Sequence, residues 1–364
     1  MALRSDSLIG RRPPEISATD GEPCGSGGRS ARLTQVPARD PSLLDAVVAD
    51  GRPLLQLTAF ALFFSGCFAL FLSIRREFLP HDITFLQMTP EQLCAMAECR
   101  VVAFMFHDRV AFGGVLVAIA ILYFWLSTVP LGEGAAWAWW TIAISGATGF
   151  LSFLSYLGYG YLDTWHGVGS AFLVPIFAAG LLCSRSLVRH AATPHVNLVS
   201  RRLCGRQRFG HLALLVTGLS MVLAGATILT VGVTRVFVPQ DLEFMRLTIA
   251  DLDAANPRLV PLIAHDRAGF GGGLFSCGSI VAACALFGTP SRSLWQAFAC
   301  AGVAGFGAAI GVHVVVGYTD VLHLAPALAG TALFVVGLTF AVPGRSAMPT
   351  QTRSNLTTRS SGPP

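Results

Sequence analysis

The chain has 364 residues, of which 53% are hydrophobic and only 12% are charged. Soluble domains carry about 25% charged residues, so the composition excludes an ordinary soluble domain and predicts a polytopic membrane protein whose partner is the lipid bilayer. The formal net charge of +5 comes from arginine alone, because the chain has no lysine. Codon usage in a GC-rich genome explains this bias, so we expect no nucleic-acid partner.

Polar segments flank the apolar part of the chain. Residues 1–53 are rich in Arg, Pro, Gly, Ser and Asp and show no apolar periodicity, which predicts a disordered cytosolic tail. They do not resemble a signal peptide, because no apolar segment follows the first arginines. Residues 343–364 are similarly polar and predict a second disordered cytosolic tail.

Between these tails, several apolar stretches reach or approach the roughly 20 residues that a membrane-spanning helix needs. Eight is the best count, although seven or nine spans are also compatible with the pattern. The expected class is therefore all-α, with about eight transmembrane helices. The stretches are 54–74, 110–129, 136–157, 167–184, 211–233, 268–288, 294–316 and 321–342.

The distribution of arginine predicts the orientation of these spans. Residues 185–210 carry six arginines and no acidic residue, whereas the loops at 75–109 and 235–267 each carry four arginines and five acidic residues. Cytoplasmic loops are enriched in Lys and Arg, so the segment 185–210 is expected inside and the two acidic loops outside. We expect the inner (cytoplasmic) membrane of a bacterium, with both termini in the cytoplasm.

Many residues recur in the same order about 158 positions apart, which predicts an internal duplication. The units are residues 54–184 and 211–342, joined by a basic cytosolic linker at 185–210. Because each unit has four spans, the copies should be parallel and related by a pseudo-two-fold axis along the membrane normal. The matches include Phe78-x-Pro80-x-Asp82 with Phe237-x-Pro239-x-Asp241, His107-Asp108-Arg109-x-x-Phe112-Gly113-Gly114 with His265-Asp266-Arg267-x-x-Phe270-Gly271-Gly272, and GYLDTWH (160–166) with GYTDVLH (317–323).

The outer loop of each unit contains a short-helix signal. Thr89 and Gln92 form a capping box with Pro90 at the first helical position, and Thr248 with Asp251 forms a weaker version of the same cap. The same loop holds Cys94 and Cys99. Two cysteines five residues apart in a helix have poor disulfide geometry, so the spacing does not favour a bridge.

The candidate functional residues lie where the outer ends of spans two and three are expected. A tight inner turn should make these spans neighbours within each unit, so that each unit brings together two His, two Asp and one Arg. The first cluster is His107, Asp108, Arg109, Asp163 and His166, the second is His265, Asp266, Arg267, Asp320 and His323, and Asp82 and Asp241 are secondary candidates.

Several functions are compatible with these clusters. In a structural role, Asp108 caps the N-terminus of span two and Arg109 pairs with Asp163 or reaches the lipid head groups. In a metal-binding role, the imidazoles and carboxylates hold a divalent ion such as Zn²⁺ or Fe²⁺, with Arg109 as a charge partner, and such a site would suit hydrolytic or redox chemistry.

Transport or small-ligand binding between the two units is a further alternative. The nearly apolar mid-span positions argue against it, because transport sites lie near the membrane midplane and use intramembrane charges. His313 is the one ionisable exception, and a lone histidine of this kind is more often a packing residue than a relay.

Overall fold

The computed structural model describes Val48 and residues 50–96, 98–154, 158, 161, 164–188 and 205–342, all of which belong to a unit that runs from Ser42 to Pro364. The side chain of His166 and the whole of Asp163 lie outside this description. Every regular element among the described residues is helical.

Among the described residues, six α-helices precede residue 188 and six follow residue 204. The order in the two halves is the same: one long helix, two short helices and three long helices. The first half comprises α1 (Arg52–Arg75), α2 (Pro80–Leu86), α3 (Pro90–Cys94), α4 (Arg100–Thr128), α5 (Ala136–Leu154) and α6 (Thr164–Ser184), followed by one 3₁₀ turn at Arg185–Leu187. The second half comprises α7 (Gly205–Thr234), α8 (Pro239–Met245), α9 (Ile249–Ala255), α10 (Leu259–Phe287), α11 (Arg292–Val316) and α12 (Val321–Phe340).

Seven of the long helices are long and apolar enough to cross a membrane. The eighth long helix, α5, whose described part ends at Leu154, is not among the seven. Many large apolar side chains on these helices face outward, including Phe64 (67% exposed), Ile74 (80%) and Val303 (76%). Soluble proteins rarely expose apolar surface on this scale, so a lipid environment suits the bundle.

Helices α4 and α10 pack against each other at the centre, and both are largely buried. Each contacts the first long helix of its own half, α1 on α4 and α7 on α10, but its other main neighbour comes from the opposite half. Helix α11 packs on α4, and α5 packs on α10. The expectation that spans two and three of one unit are neighbours is therefore wrong, because the third long helix of each half crosses to the other half.

Glycines following the two HDR motifs permit these close contacts. A Cβ on Gly113 would meet the carbonyl oxygen of Gly66 on α1 at 3.0 Å, whereas a Cβ on Gly114 would meet the Cβ of Ala308 on α11 at 2.4 Å. The second half repeats this division: Gly271 approaches α7, and Gly272 approaches Ser152 on α5. These glycines therefore allow close helix packing in both halves.

The short helices α2, α3, α8 and α9 lie at one end of the bundle, here called the HDR end. Both expected capping boxes form: Thr89 accepts a bond from the amide of Gln92, and Thr248 accepts one from the amide of Asp251. The amides of Thr89 and Thr248 donate in return to Gln92 and Asp251. Apolar side chains from the two halves pack together beneath these caps, including Phe104 and Phe237 at 6.0 Å.

Two local expectations at the HDR end are wrong. Cys94 and Cys99 form a disulfide, because they do not share a helix: α3 ends at Cys94, and a left-handed residue at Cys99 precedes α4, so their Cα atoms lie 3.8 Å apart. Helix α4 begins at Arg100 and not near residue 110, because the apolar residues 101–106 already pack in the core.

Candidate functional site

The two HDR motifs lie side by side at the HDR end, inside the paired helices α4 and α10. Asp108 is 2% exposed and lies in the third turn of α4, so the expectation that it caps the N-terminus of the second span is wrong. An ionised carboxylate so deeply buried needs charged or hydrogen-bonding partners. The opposite half supplies one of them.

Arg109 bridges two carboxylates from different halves. Its Nη1 donates to Asp82 Oδ2 at 2.6 Å, within its own half, and its Nε donates to Asp266 Oδ2 at 2.8 Å, in the second half. The pairing of Arg109 with Asp163 stays a prediction, since Asp163 lies outside the described residues. Among the described residues, the secondary candidate Asp82 is a direct partner of Arg109.

Arg267 repeats this arrangement with the halves exchanged. Its Nη1 donates to Asp241 Oδ2 at 2.5 Å and to the carbonyl oxygen of Val236, and its Nε lies 3.3 Å from Asp108 Oδ2. Each HDR aspartate therefore pairs with the HDR arginine of the other half. Each FxPxD aspartate pairs with the HDR arginine of its own half. These buried pairs join the two halves at their centre.

A tyrosine hydroxyl donates a hydrogen bond to the aspartate of each Phe-x-Pro-x-Asp (FxPxD) motif. Tyr161 donates to Asp82 at 2.6 Å, and Tyr318 donates to Asp241 at 2.9 Å. Burial opposes the charged form of Asp82, but the Arg109 guanidinium and the Tyr161 hydroxyl together hold the pKa of this carboxyl below its usual value. Burial raises the pKa of Tyr318 above its ordinary value, and the nearby Asp241 raises it further.

Three histidines converge beside the Arg267 pair. His107 Nε2 lies 3.0 Å from His313 Nε2, and the ligand atoms of His107, His313 and His323 all lie within 4.8 Å of one another. His107 belongs to the first half, and the other two belong to the second. His313, expected to be a packing residue, is thus part of the cluster.

Hydrogen bonds fix which nitrogen of each ring faces the centre. His107 Nδ1 lies 3.0 Å from Asp108 Oδ1, and His313 Nδ1 lies 2.6 Å from the carbonyl oxygen of Ala309. Both oxygens can only accept, so each Nδ1 carries a proton and, in a neutral ring, each Nε2 holds a lone pair. Two lone pairs facing each other at 3.0 Å repel, and a shared proton or a bound metal ion would remove this repulsion.

The third ring follows the same logic. His323 Nδ1 lies 3.2 Å from the Tyr318 hydroxyl, whose own proton goes to Asp241. The hydroxyl oxygen therefore accepts from Nδ1, and the Nε2 of a neutral His323 keeps its lone pair. All three rings are held by acceptors at Nδ1, the arrangement that orients ligating histidines in metal sites.

The remaining candidates occupy different surroundings. His265 Nδ1 lies 3.2 Å from Asp266, and its ring contacts that of Tyr161 at a centroid distance of 5.0 Å. Asp320 is exposed and caps α12 by accepting a bond from the amide of His323. The ligand role expected for His166 concerns a side chain outside the described part of the chain.

The grouping of candidates by unit differs from the observed arrangement. His107 contacts His313 and His323 of the second half, and its expected neighbours in the first unit, Asp163 and the His166 side chain, lie outside the described residues. The crossing of α11 onto α4 is the physical reason, because it carries His313 to the level of His107. One signal for His313 was available in the sequence: it is an ionisable residue inside the apolar stretch 294–316, near the end where the HDR motifs lie.

Comparison of the chain with protein-family models, with curated proteins and with solved structures finds no match.

Proposed function

We propose that the chain is an integral membrane protein of eight spans, built from two parallel four-helix units, that binds a divalent transition-metal ion through His107, His313 and His323. Seven apolar helices and the outward-facing apolar side chains support insertion in a bilayer. The matching order of helices and the exchanged Arg–Asp pairs support a duplicated unit.

The HDR end faces away from the cytoplasm in this proposal. The disulfide Cys94–Cys99 lies at that end, and disulfides form and persist in oxidising compartments. Arg185 after α6 and Arg206 and Arg208 at the start of α7 lie at the opposite end, in agreement with the preference of basic residues for the cytoplasmic side. Because the number of proposed spans is even, both termini then lie in the cytoplasm.

The convergence of His107, His313 and His323, whose ligand atoms all lie within 4.8 Å of one another, is the observation that carries the metal proposal. In a tetrahedral zinc site with Zn–N bonds of about 2.0–2.1 Å, two ligating nitrogens lie about 3.3 Å apart. The separation of 3.0 Å between His107 and His313 is close to this value. Imidazole ligands suit Zn²⁺ and Fe²⁺, and three of them leave at least one coordination position open.

Charge balance also favours a divalent ion. The network contains two guanidinium groups and four carboxylates, so its formal charge with all groups ionised is 2 − 4 = −2. Buried charge without compensation is costly. A divalent cation held by His107, next to Asp108, would neutralise the network.

Elemental analysis of the detergent-purified protein tests the proposal. We expect about one Zn or Fe per chain in the wild type and at least a tenfold loss in His313→Ala. His211→Gln is the matched control, because His211 is also a buried helix histidine but bonds to the carbonyl oxygen of Ala285 outside the cluster. The proposal would be overturned if His313→Ala kept the metal content of the wild type, or if the wild type held no stoichiometric metal.

A membrane metalloenzyme with hydrolytic or redox chemistry is a second candidate function. The open coordination position expected for a three-histidine site favours it, because catalytic zinc sites keep such a position for water or substrate. Its test is whether metal-loaded protein turns over a lipid-soluble substrate while His313→Ala protein does not.

A further inference from the structure

A large cavity lies directly below the histidine cluster, between helices α4, α7, α10, α11 and α12. Its volume is about 760 Å³, within the range of roughly 300–1,000 Å³ that is typical of small-molecule sites. On α11 its lining extends from His313 to Phe298, which corresponds to about 22 Å at the rise of an α-helix. The cavity is therefore elongated along the bundle.

The two ends of the cavity differ in polarity. His107, Arg267, His313 and His323 line it at the HDR end, together with Gln240, whereas Phe298 lines the far end. The hydroxyls of Thr217 and Thr227, part of the way down, already donate to carbonyl oxygens of their own helix. The lower part of the cavity is thus mainly apolar, with Ser220 as a further hydroxyl group in its lining.

Small residues on α11 and α12 form one wall. Ala301, Gly305 and Ala309 recur at helical spacing on the cavity side of α11, and Gly330 faces the cavity from α12. Thr227 and Leu322 line the cavity and are also exposed at the surface of the bundle. The cavity therefore opens sideways, where a membrane would place lipid chains.

We propose that this cavity binds a long-chain lipid with a neutral, oxygen-bearing head group, such as an alcohol, with the oxygen at the open position of the metal and the chain along α11. The position of the head group rests on the proposed metal site. A neutral head group follows from charge: the metal would already balance the −2 of the network, so an anionic head would bury an uncompensated charge. The elongated apolar section matches an alkyl chain.

Binding of radiolabelled hexadecanol to the metal-loaded protein in detergent, with empty micelles subtracted, tests the cavity. We expect about one molecule per chain and at least tenfold weaker binding in Gly305→Leu, because the new side chain would fill the cavity. The added Cβ itself meets Ala118 at an ordinary 3.6 Å, so the fold should tolerate it. Gly330→Leu, whose Cβ meets Phe306 at 3.6 Å, is a second variant with the same expected result.

Gly307→Leu is the matched control on the same helix. Gly307 has no atom within 4 Å of an added Cβ and does not line the cavity, so this variant should bind hexadecanol like the wild type. Equal binding by Gly305→Leu and Gly307→Leu would overturn the cavity proposal. Hexadecane or palmitate binding as tightly as hexadecanol would overturn the assignment of a neutral oxygen head group.

Cobalt-substituted protein separates this inference from the metal proposal. Hexadecanol, but not hexadecane, should change the visible absorption of bound Co²⁺ if its oxygen reaches the metal. If Co²⁺ does not bind while hexadecanol capture still depends on Gly305, the metal site is overturned and the lipid cavity stands. If Co²⁺ binds and hexadecanol leaves its spectrum unchanged, the position of the head group is overturned and the metal site stands.

Discussion

The two HDR motifs share their ion pairs but differ in what surrounds their histidines. Arg109 and Arg267 pair with the same two positions, the FxPxD aspartate of their own half and the HDR aspartate of the other. Arg109 Nε donates to Asp266 at 2.8 Å, whereas Arg267 Nε lies 3.3 Å from Asp108 Oδ2 without a hydrogen bond. His107, however, meets His313 and His323, whereas His265 contacts Tyr161. In the sequence, Tyr156 stands near the position that corresponds to His313. Among the described residues, the ion pairs are therefore present twice, whereas the three-histidine cluster that we propose as a metal site is seen beside His107.

The ion pairs should account for the largest effect. Arg109→Ala and Arg267→Ala each leave two carboxylates without their charged partner, and breaking a buried pair costs about 3–5 kcal/mol. We expect both variants to lose stability by similar amounts, measured by thermal unfolding in detergent. A loss below about 1 kcal/mol in either variant would contradict the structural role of the pairs.

Substitutions of the two HDR aspartates should distinguish the ion-pair role from the proposed metal-binding role. Asp108→Asn removes the charge beside the Nδ1 of His107, and loss of such a partner typically costs about 10–100-fold in metal affinity. Asp266→Asn alters the corresponding pair beside His265 and should leave metal affinity unchanged. Titration of both variants with Zn²⁺ measures this difference. Equal losses of affinity would show that the two sides are functionally equivalent.

Substituting the two tyrosines should also affect metal binding on one side only, with smaller losses than the aspartate substitutions cause. Tyr318→Phe removes the bonds to Asp241 and His323, so we expect about 1 kcal/mol less stability and weaker metal binding. Tyr161→Phe should cost a similar amount of stability and leave metal binding unchanged. Thermal unfolding with and without added Zn²⁺ checks both variants, and weaker metal binding in Tyr161→Phe would argue against a one-sided site.

The smallest expected effect concerns acid stability. The pKa of Asp82 is lowered in the folded protein, so its contribution is present above the ordinary value of 3.8 and is lost as the pH falls through the lowered value. The difference in stability between wild type and Asp82→Asn should therefore be constant above about pH 5 and shrink as the pH falls from about 4 towards 3. A difference that stays constant over this range would show that Asp82 is not ionised in the native pair.

Sequence patterns predicted the parts of the fold that depend on neighbouring residues. The positions of the long apolar helices and the capping boxes at Thr89 and Thr248 follow from local composition and spacing. The repeated HDR motif also identified the end of the bundle where charged residues meet.

Contacts between helices that are far apart in the sequence could not be predicted from local patterns. Nothing local in the sequence says that α11 packs on α4 and not on its neighbour α10, and the membership of His313 in the cluster depends on that choice. The disulfide was likewise missed because the spacing was judged for one helix, whereas the chain turns at Cys99.

X-ray absorption spectroscopy of the zinc-loaded protein tests the central claim most directly. We expect three imidazole nitrogens at about 2.0–2.1 Å from the metal in the wild type and in His265→Ala, and two in His313→Ala. A first shell without imidazole, or one that loses a nitrogen in His265→Ala and keeps it in His313→Ala, would contradict the assignment of His107, His313 and His323 as the metal site.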